Sequence, residues 1–267
     1  MDTVSILTAT AVVGGCGLLI GAGLGLFQKL FAVPTDEREG RVRECLPGNN
    51  CGGCGYAGCD ALAKAIAAGE APADACPVAG PEGAGRIAAV MGQEIGRTER
   101  RTAFVRCAGT CGRVKQEAVY DGPQDCAQAA QAPGHAGRAC LYGCTGLGSC
   151  ARACPFDAIE MTDGIARVDR ERCTACGICV RTCPFALIEL VPYEAEAGVQ
   201  CRSHDTGKRT RSVCEAGCIA CGKCVKVCPS EAIVMDDRVA YVRQEQCIRC
   251  GKCREVCPVQ VIHRPSR

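Results

Sequence analysis

Tryptophan is absent from this chain, aromatic residues make up 4% of it, and there are three histidines in 267 residues. A chain so poor in large rings has little with which to build a wide apolar core, so it needs covalent or metal staples. Scarce histidine leaves few ligands for mixed Cys–His zinc sites. Neither a Ser–His nor a Cys–His pairing stands out for nucleophilic catalysis, and the scattered His135, His204 and His263 are expected in loops or at the surface. Charge of one sign is missing too. Lys and Arg number 31 against 29 Asp and Glu, so no broad basic field recommends nucleic acid as a partner. No G-x-G-x-x-G fingerprint follows a strand-like run, and this chain is not expected to bind NAD or flavin itself.

What the chain has in excess is cysteine, with 27 residues. An odd count fits poorly with a pure disulfide framework, and such frameworks belong mostly to small secreted domains. Most of the cysteines fall in runs of four that end in Cys-Pro. That run, C-x2-C-x2-C-x3-C-P, is the ligand pattern of bacterial [4Fe-4S] ferredoxins, in which three sulfurs wrap one cluster and the fourth crosses to another. A zinc-stabilised binding module is the alternative from a different class; crossover Cys-Pro runs and scarce histidine weigh against it.

From Thr3 to Gln28 no residue is charged, and Leu, Ile, Val, Ala and Gly dominate. As a helix this run is about 39 Å long, enough to cross a bilayer with tilt. A signal peptide needs a basic start and a shorter apolar stretch, whereas Asp2 is the one charge that precedes this run. Residues 1–30 are therefore expected to be a transmembrane anchor. Lys29, Arg38, Arg41 and Arg43 follow it, which places the rest of the chain on the cytoplasmic side of the cell (inner) membrane as a single-pass protein. Gly17, Gly21 and Gly25 recur on one face, the spacing that lets a second membrane helix approach. A glycine-rich span with no specific neighbour is the plainer reading.

Residues 31–46 read as a polar linker, and 47–97 as a small Cys-rich module. Its ligand candidates are Cys51, Cys54, Cys59 and Cys76. Short helices are expected over 60–68 and 84–96, with almost no aliphatic core, so that metal ligation supplies much of the folding free energy. A Cys-containing connector covers 98–139, and a basic connector covers 193–213.

Between and beyond these connectors lies an internal repeat. Cys140, Cys144, Cys150, Cys154, Cys173, Cys176, Cys179 and Cys183 each recur 74 residues later, as Cys214, Cys218, Cys224, Cys228, Cys247, Cys250, Cys253 and Cys257. Residues 140–192 and 214–267 are thus two tandem ferredoxin-like units of α+β class. Each carries a predicted β-hairpin, one around Asp163-Gly164 and the other over the matching run from Ile233 to Val242. In the second unit one cluster takes Cys218, Cys221, Cys224 and Cys257, and the other takes Cys247, Cys250, Cys253 and Cys228. In the first unit Cys173, Cys176, Cys179 and the crossing Cys154 form a complete set. The other set has Cys144, Cys150 and Cys183, but Leu147 stands where the repeat places Cys221. Cys140 is the nearest replacement; a three-iron cluster or a more distant cysteine would also serve.

Cys107, Cys111, Cys126, Cys201 and Cys214 remain, besides Cys16 and Cys45. Four of these five would hold a sixth cluster beyond the five expected; buried free thiols are the plainer alternative. Arg202, Lys208, Arg209 and Arg211 form a basic stretch between the units. It is either a steering patch for an acidic partner or a solvated loop.

The run Asn50-Cys51-Gly52-Gly53-Cys54-Gly55-Tyr56-Ala57-Gly58-Cys59, with Cys76, resembles the B-type subunit of the Rnf complex, the ion-translocating ferredoxin:NAD oxidoreductase of bacterial membranes. The resemblance covers nearly the whole chain and is closest to the long form with two ferredoxin-like units. It implies a membrane-anchored subunit that takes electrons from soluble ferredoxin and passes them to other Rnf membrane subunits, with no complete active site of its own. It also implies Cys51, Cys54, Cys59 and Cys76 as ligands of one cluster. A polyferredoxin subunit of another membrane redox complex is the competing reading.

Overall fold

The computed structural model describes residues 3–30, 36–94, 96 and 99–265, with side chains described only for 11–27 in the first of these segments. Helix α1 spans Thr3–Leu30. Val12, Leu18, Leu19, Ile20 and Leu24 on it are exposed, and the glycines of the expected packing face have open space around them. Among the described residues no helix is long and apolar enough to cross a membrane.

Three helices build the first module: α2 over Glu37–Cys45, α3 over Cys59–Ala67 and α4 over Gly80–Met91. Asp36 caps α2 by accepting from the Arg38 amide at 2.9 Å. The segment expected as a linker is therefore helical over most of its length. Its single aliphatic position within the helix, Val42, is fully buried against Leu62 and Ile66 of α3 and Ile87 of α4. That corrects the expectation of a module without an aliphatic core. One valine on a charged helix gives almost no periodic signal, yet it closes a small three-helix cluster. Helix α4 starts earlier and ends earlier than its alanine content suggests, because Gly92 stops it in a left-handed cap.

The remainder is two copies of one α+β plan. The first copy runs β1 (Arg101–Val105), α5 (Cys126–Gln131), α6 (Ser149–Arg152), β2 (Ile159–Thr162), β3 (Ile165–Val168), α7 (Ile178–Thr182) and β4 (Ile188–Pro192). The second runs β5 (Gly198–Val199), α8 (Gly207–Val213), α9 (Lys223–Val227), β6 (Ile233–Asp236), β7 (Val239–Val242), α10 (Lys252–Glu255) and β8 (Ile262–His263). Both predicted hairpins form. Ile159 pairs with Val168 and Ile233 with Val242, so the repeat offset holds in register as well as in sequence. At the first turn Asp163 and Gly164 have φ of 48° and 75°, the left-handed pair that a tight hairpin needs.

Each unit also takes a strand from the segment before it. Strand β1 pairs antiparallel with β4, and β5 with β8. The connectors 98–139 and 193–213 are thus partly built into the units they precede. Inside each unit the buried side chains are small aliphatics and thiols together: Ile159, Ile165, Val168 and Leu187 with Cys144, Cys150 and Cys179 in the first, and Ile233, Val239, Val242 and Val261 with Cys218, Cys224 and Cys253 in the second.

Candidate iron–sulfur sites

All cysteines are free thiols. Among the described residues no three His, Cys, Asp or Glu side chains gather tightly enough to hold a single metal ion. A cubane cluster spreads its four sulfurs wider than one ion spreads its ligands, so the relevant test is which thiols face a common space.

In the second unit the pairing follows the crossover rule. Burial pushes the Cys224 thiol up to about 11, and Cys218, Cys221 and Cys257 are its thiol neighbours. Cys253 is raised by burial and has Cys247, Cys228 and Cys250 around it. The first unit repeats the second of these sets. Cys154, Cys173, Cys176 and Cys179 line one cavity with Phe156, Ile159 and Leu190. Burial pushes Cys179 up to about 12 there. The amides of Ala103 and Ala158 donate to the Cys173 and Cys154 sulfurs at 3.3 and 3.4 Å.

The altered set departs from the sequence expectation. Cys144, Cys150 and Cys183 line an apolar cavity together with Cys126, not Cys140. Cys126 opens helix α5, and its amide donates to Ser149 Oγ at 2.8 Å, while that hydroxyl donates to Asp125 at 3.0 Å. Ser149 opens α6, so this bond pins α5 onto the cluster loop of the unit. Cys150 is pushed up to about 12 by burial and feels Cys144, Cys126 and Cys183. The fourth thiol of this cavity thus comes from a separate helix.

Cys140 faces a different space. Cys107, Cys140, Cys201 and Cys214 line a cavity at the seam between the two units, walled by Ala108, Val114, Ala216 and the Thr210 side chain. Around Gly109 the Cys107 and Cys214 sulfurs lie close together, and around Gly143 the Cys107 and Cys140 sulfurs do. Burial pushes Cys107 up to about 12 and Cys201 up to about 11. Of the five leftover thiols, three are therefore here and Cys126 is in the neighbouring cavity. Cys111 is exposed at the hairpin turn, where its amide donates to Asp163 O at 2.9 Å. It lies outside every set.

The seam is held by arginines. Arg138, buried, donates to Gly109 O and Gly164 O at 2.8 Å each. Arg106 donates to Cys201 O at 3.4 Å and lies 5.1 Å over the Tyr241 ring. His135, expected in a loop or at the surface, lies in a short turn between α5 and α6 but is buried, bonded through Nε2 to Gly143 O at 2.8 Å and edge-on to Phe185. Its burial lowers its pKa. Arg202 of the basic stretch donates to Phe185 O at 3.0 Å, so it staples the units; Lys208, Arg209 and Arg211 are exposed on α8.

In the first module Cys76 is raised by burial and has Cys54 and Cys59 as neighbours. The Cys59 amide donates to Asn50 Oδ1 at 2.8 Å, which folds the loop back on itself. Cys51 lies beside Cys176 of the first unit. A Cβ on Gly53 would stand 2.7 Å from Cys176 O, so the two cluster loops meet backbone to backbone. When a metal cation binds a buried thiol it displaces the proton from sulfur, and the proton leaves to solvent. Four thiols line each of the three enclosed cavities with no His or carboxylate among the lining side chains, which is the soft donor set that iron–sulfur clusters need.

Comparison with known proteins agrees with this chemistry. The family model described as "Putative Fe-S cluster" matches residues 46–78. The model described as "4Fe-4S dicluster domain" matches 139–187 and 217–261. The chain is 44% identical over 239 residues to the B-type subunit of the Na(+)-translocating ferredoxin:NAD(+) oxidoreductase complex of Acetobacterium woodii, covering 89% of this chain and 72% of that one. It is 40% identical to the B-type subunit of the ion-translocating oxidoreductase complex of Methanosarcina acetivorans, over 90% of this chain and 91% of that one. With the B-type subunit of the proton-translocating ferredoxin:NAD(+) oxidoreductase complex of Clostridium ljungdahlii it shares 39% identity, over 91% and 86%. On these matches, and on thiol sets built for [4Fe-4S] clusters, the chain belongs to the family of B-type subunits of the ion-translocating Rnf complexes, as an electron-transfer iron–sulfur protein.

Proposed function

We propose that this chain is the electron-input arm of its complex, taking single electrons from a soluble ferredoxin and carrying them over six [4Fe-4S] sites to the membrane subunits. The observation that supports this reading most is the continuity of the thiol sets. Cys51 neighbours Cys176, the Cys144 amide donates to Cys107 Sγ at 3.4 Å, and Cys201 neighbours Cys218. Within each unit the two sets share their Cys-Pro runs by crossover, so every set adjoins another from the first module to the second unit. Clusters bound there would supply one-electron storage with little change of geometry. The protein's own work is to hold thiolates, wall them from water and aim amides at sulfur.

The proposed ligand sets are Cys51, Cys54, Cys59 and Cys76; Cys154, Cys173, Cys176 and Cys179; Cys126, Cys144, Cys150 and Cys183; Cys107, Cys140, Cys201 and Cys214; Cys218, Cys221, Cys224 and Cys257; and Cys228, Cys247, Cys250 and Cys253. Electrons enter at the second unit and leave by the first module, which lies next in sequence to the proposed membrane anchor. The uncharged run Thr3–Gln28 and the basic residues after it support a single span with the clusters on the cytoplasmic side.

The test is anaerobic purification of the full chain with its associated subunits. Iron of about 24 per chain, and a brown colour that reduced ferredoxin bleaches, are expected. Colourless, iron-free protein that stays folded would overturn the reading.

A further inference from the structure

The two units are built alike, but their outermost loops meet different surroundings. Cys176 is buried under the first module, with Gly53 against its carbonyl. Its repeat counterpart, Cys250, is exposed. So is Cys221, the counterpart of Leu147. Around Cys250 the side chains also change in kind. Thr174 and the buried Ala175 become Ile248, 62% exposed, and the exposed Arg249. Ile178 becomes the exposed Lys252. Lys223 on α9 and Lys252 on α10 are without an ion-pair partner among the described residues, while Arg249 and Arg254 pair with Glu99 and Glu196. Lys223 opens α9 just after Cys221, and Lys252 opens α10 just after Cys250, so each exposed thiol has an exposed lysine close behind it in the chain.

We infer that the rim around Cys250 is the docking face for an external acidic iron–sulfur carrier, which seats its own cluster loop on the Cys250-Gly251 backbone as Gly53 sits on Cys176.

The covered loop shows what such a face accepts. Its occupant is itself a cluster loop, Cys51-Gly52-Gly53-Cys54, with glycine at the point of contact so that two backbones touch. The open loop keeps the same Cys-x-x-Cys-Gly backbone, with Gly251 at φ 76° where Gly177 has 74°. An exposed apolar residue in a cluster loop, with the unpaired Lys252 directly after that loop, is the pattern of a docking centre with a steering cation. An acidic carrier is the partner those lysines fit. The chain's second copy is the other candidate occupant, through its own module loop, and the experiment separates the two.

The inference rests on the reading of the chain as an electron relay. The full chain, loaded anaerobically, is compared with Ile248→Asp, Lys252→Glu and their combination, and with Val119→Asp, which changes an exposed side chain outside both cluster-loop rims. The probe is a small acidic two-cluster ferredoxin. Binding of oxidised ferredoxin is followed by calorimetry, reduction by reduced ferredoxin by stopped flow, and reduction by dithionite serves as the small-molecule control. Binding and ferredoxin-driven reduction are expected to fall roughly tenfold or more in the double variant at low salt. Iron content and dithionite reduction stay as in the wild type, and Val119→Asp changes neither. Lys252→Gln, a milder change, is expected to flatten the salt dependence of the rate with iron content intact. Wild-type binding and rates in the double variant and in Lys252→Gln would overturn the inference. Concentration-dependent dimerisation of the wild type that Ile248→Asp abolishes, with ferredoxin rates unchanged, would also overturn it in favour of the second copy. A wild-type chain that neither ferredoxin nor dithionite reduces would instead bring down the relay reading itself.

Discussion

The first and second ferredoxin-like units share strands, hairpins and cluster loops at one fixed offset, yet they solve the same ligand problem differently. The second keeps all its thiols in its own two runs, and Cys221 and Cys250 stand exposed. The first has Leu147 in place of the second thiol of its first run, and Cys126 of helix α5 lines the cavity of the remaining three thiols. Its Cys176 is covered by the module. The first unit is thus an interior link with neighbours on both sides, and the second is a terminus. A thiol set needs four sulfurs in space, and where a run loses one the chain can supply it from any segment that packs close enough.

The comparison breaks most visibly if the two odd thiols serve one site. Cys126→Ser and Cys140→Ser are each expected to remove one cluster, about four irons, and the double variant about eight. Iron and sulfide analysis of anaerobically purified protein decides this. A double variant that loses no more iron than either single variant would mean a shared cavity. Adding Leu147→Cys to Cys126→Ser sharpens the comparison, because it makes the first unit resemble the second. About four irons should return, with the matching electron paramagnetic resonance signal. A smaller effect concerns the covered loop. Gly53→Val puts side-chain carbon where Cys176 O stands, so the module must shift away from the first unit. Iron content is expected to hold while reduction of the module slows by roughly ten- to a hundredfold, followed by rapid-mixing spectroscopy.

Much of this was legible in the chain because the signals are local. The Cys-Pro runs lie within single loops, and Asp163-Gly164 marks a hairpin turn by conformational preference alone. Helix α3 follows from an alanine-rich stretch. The seam and the repaired site were hidden for the opposite reason. Cys107, Cys140, Cys201 and Cys214 come from four segments, and the repeat offset that relates Cys140 to Cys214 gives no sign that they share a site with Cys107 and Cys201. Cys140 is close to Cys144 in sequence, yet it faces another cavity, whereas the more distant Cys126 is brought in by the Asp125–Ser149 contact. Asp125 also caps helix α5 by accepting from the Gln128 amide at 3.0 Å, which fixes where Cys126 stands. Val42 and His135 escaped because single buried residues in polar surroundings carry no periodic signature.

The four-segment origin of the seam has a consequence for biogenesis. A ribosome releases Cys107 and Cys140 well before Cys201 and Cys214. The pocket they enclose cannot exist on a nascent chain until all four have emerged. On the growing chain this compartment therefore becomes possible only after the thiols of the module and of the first unit are out, and before the later thiols of the second unit, which run on to Cys257.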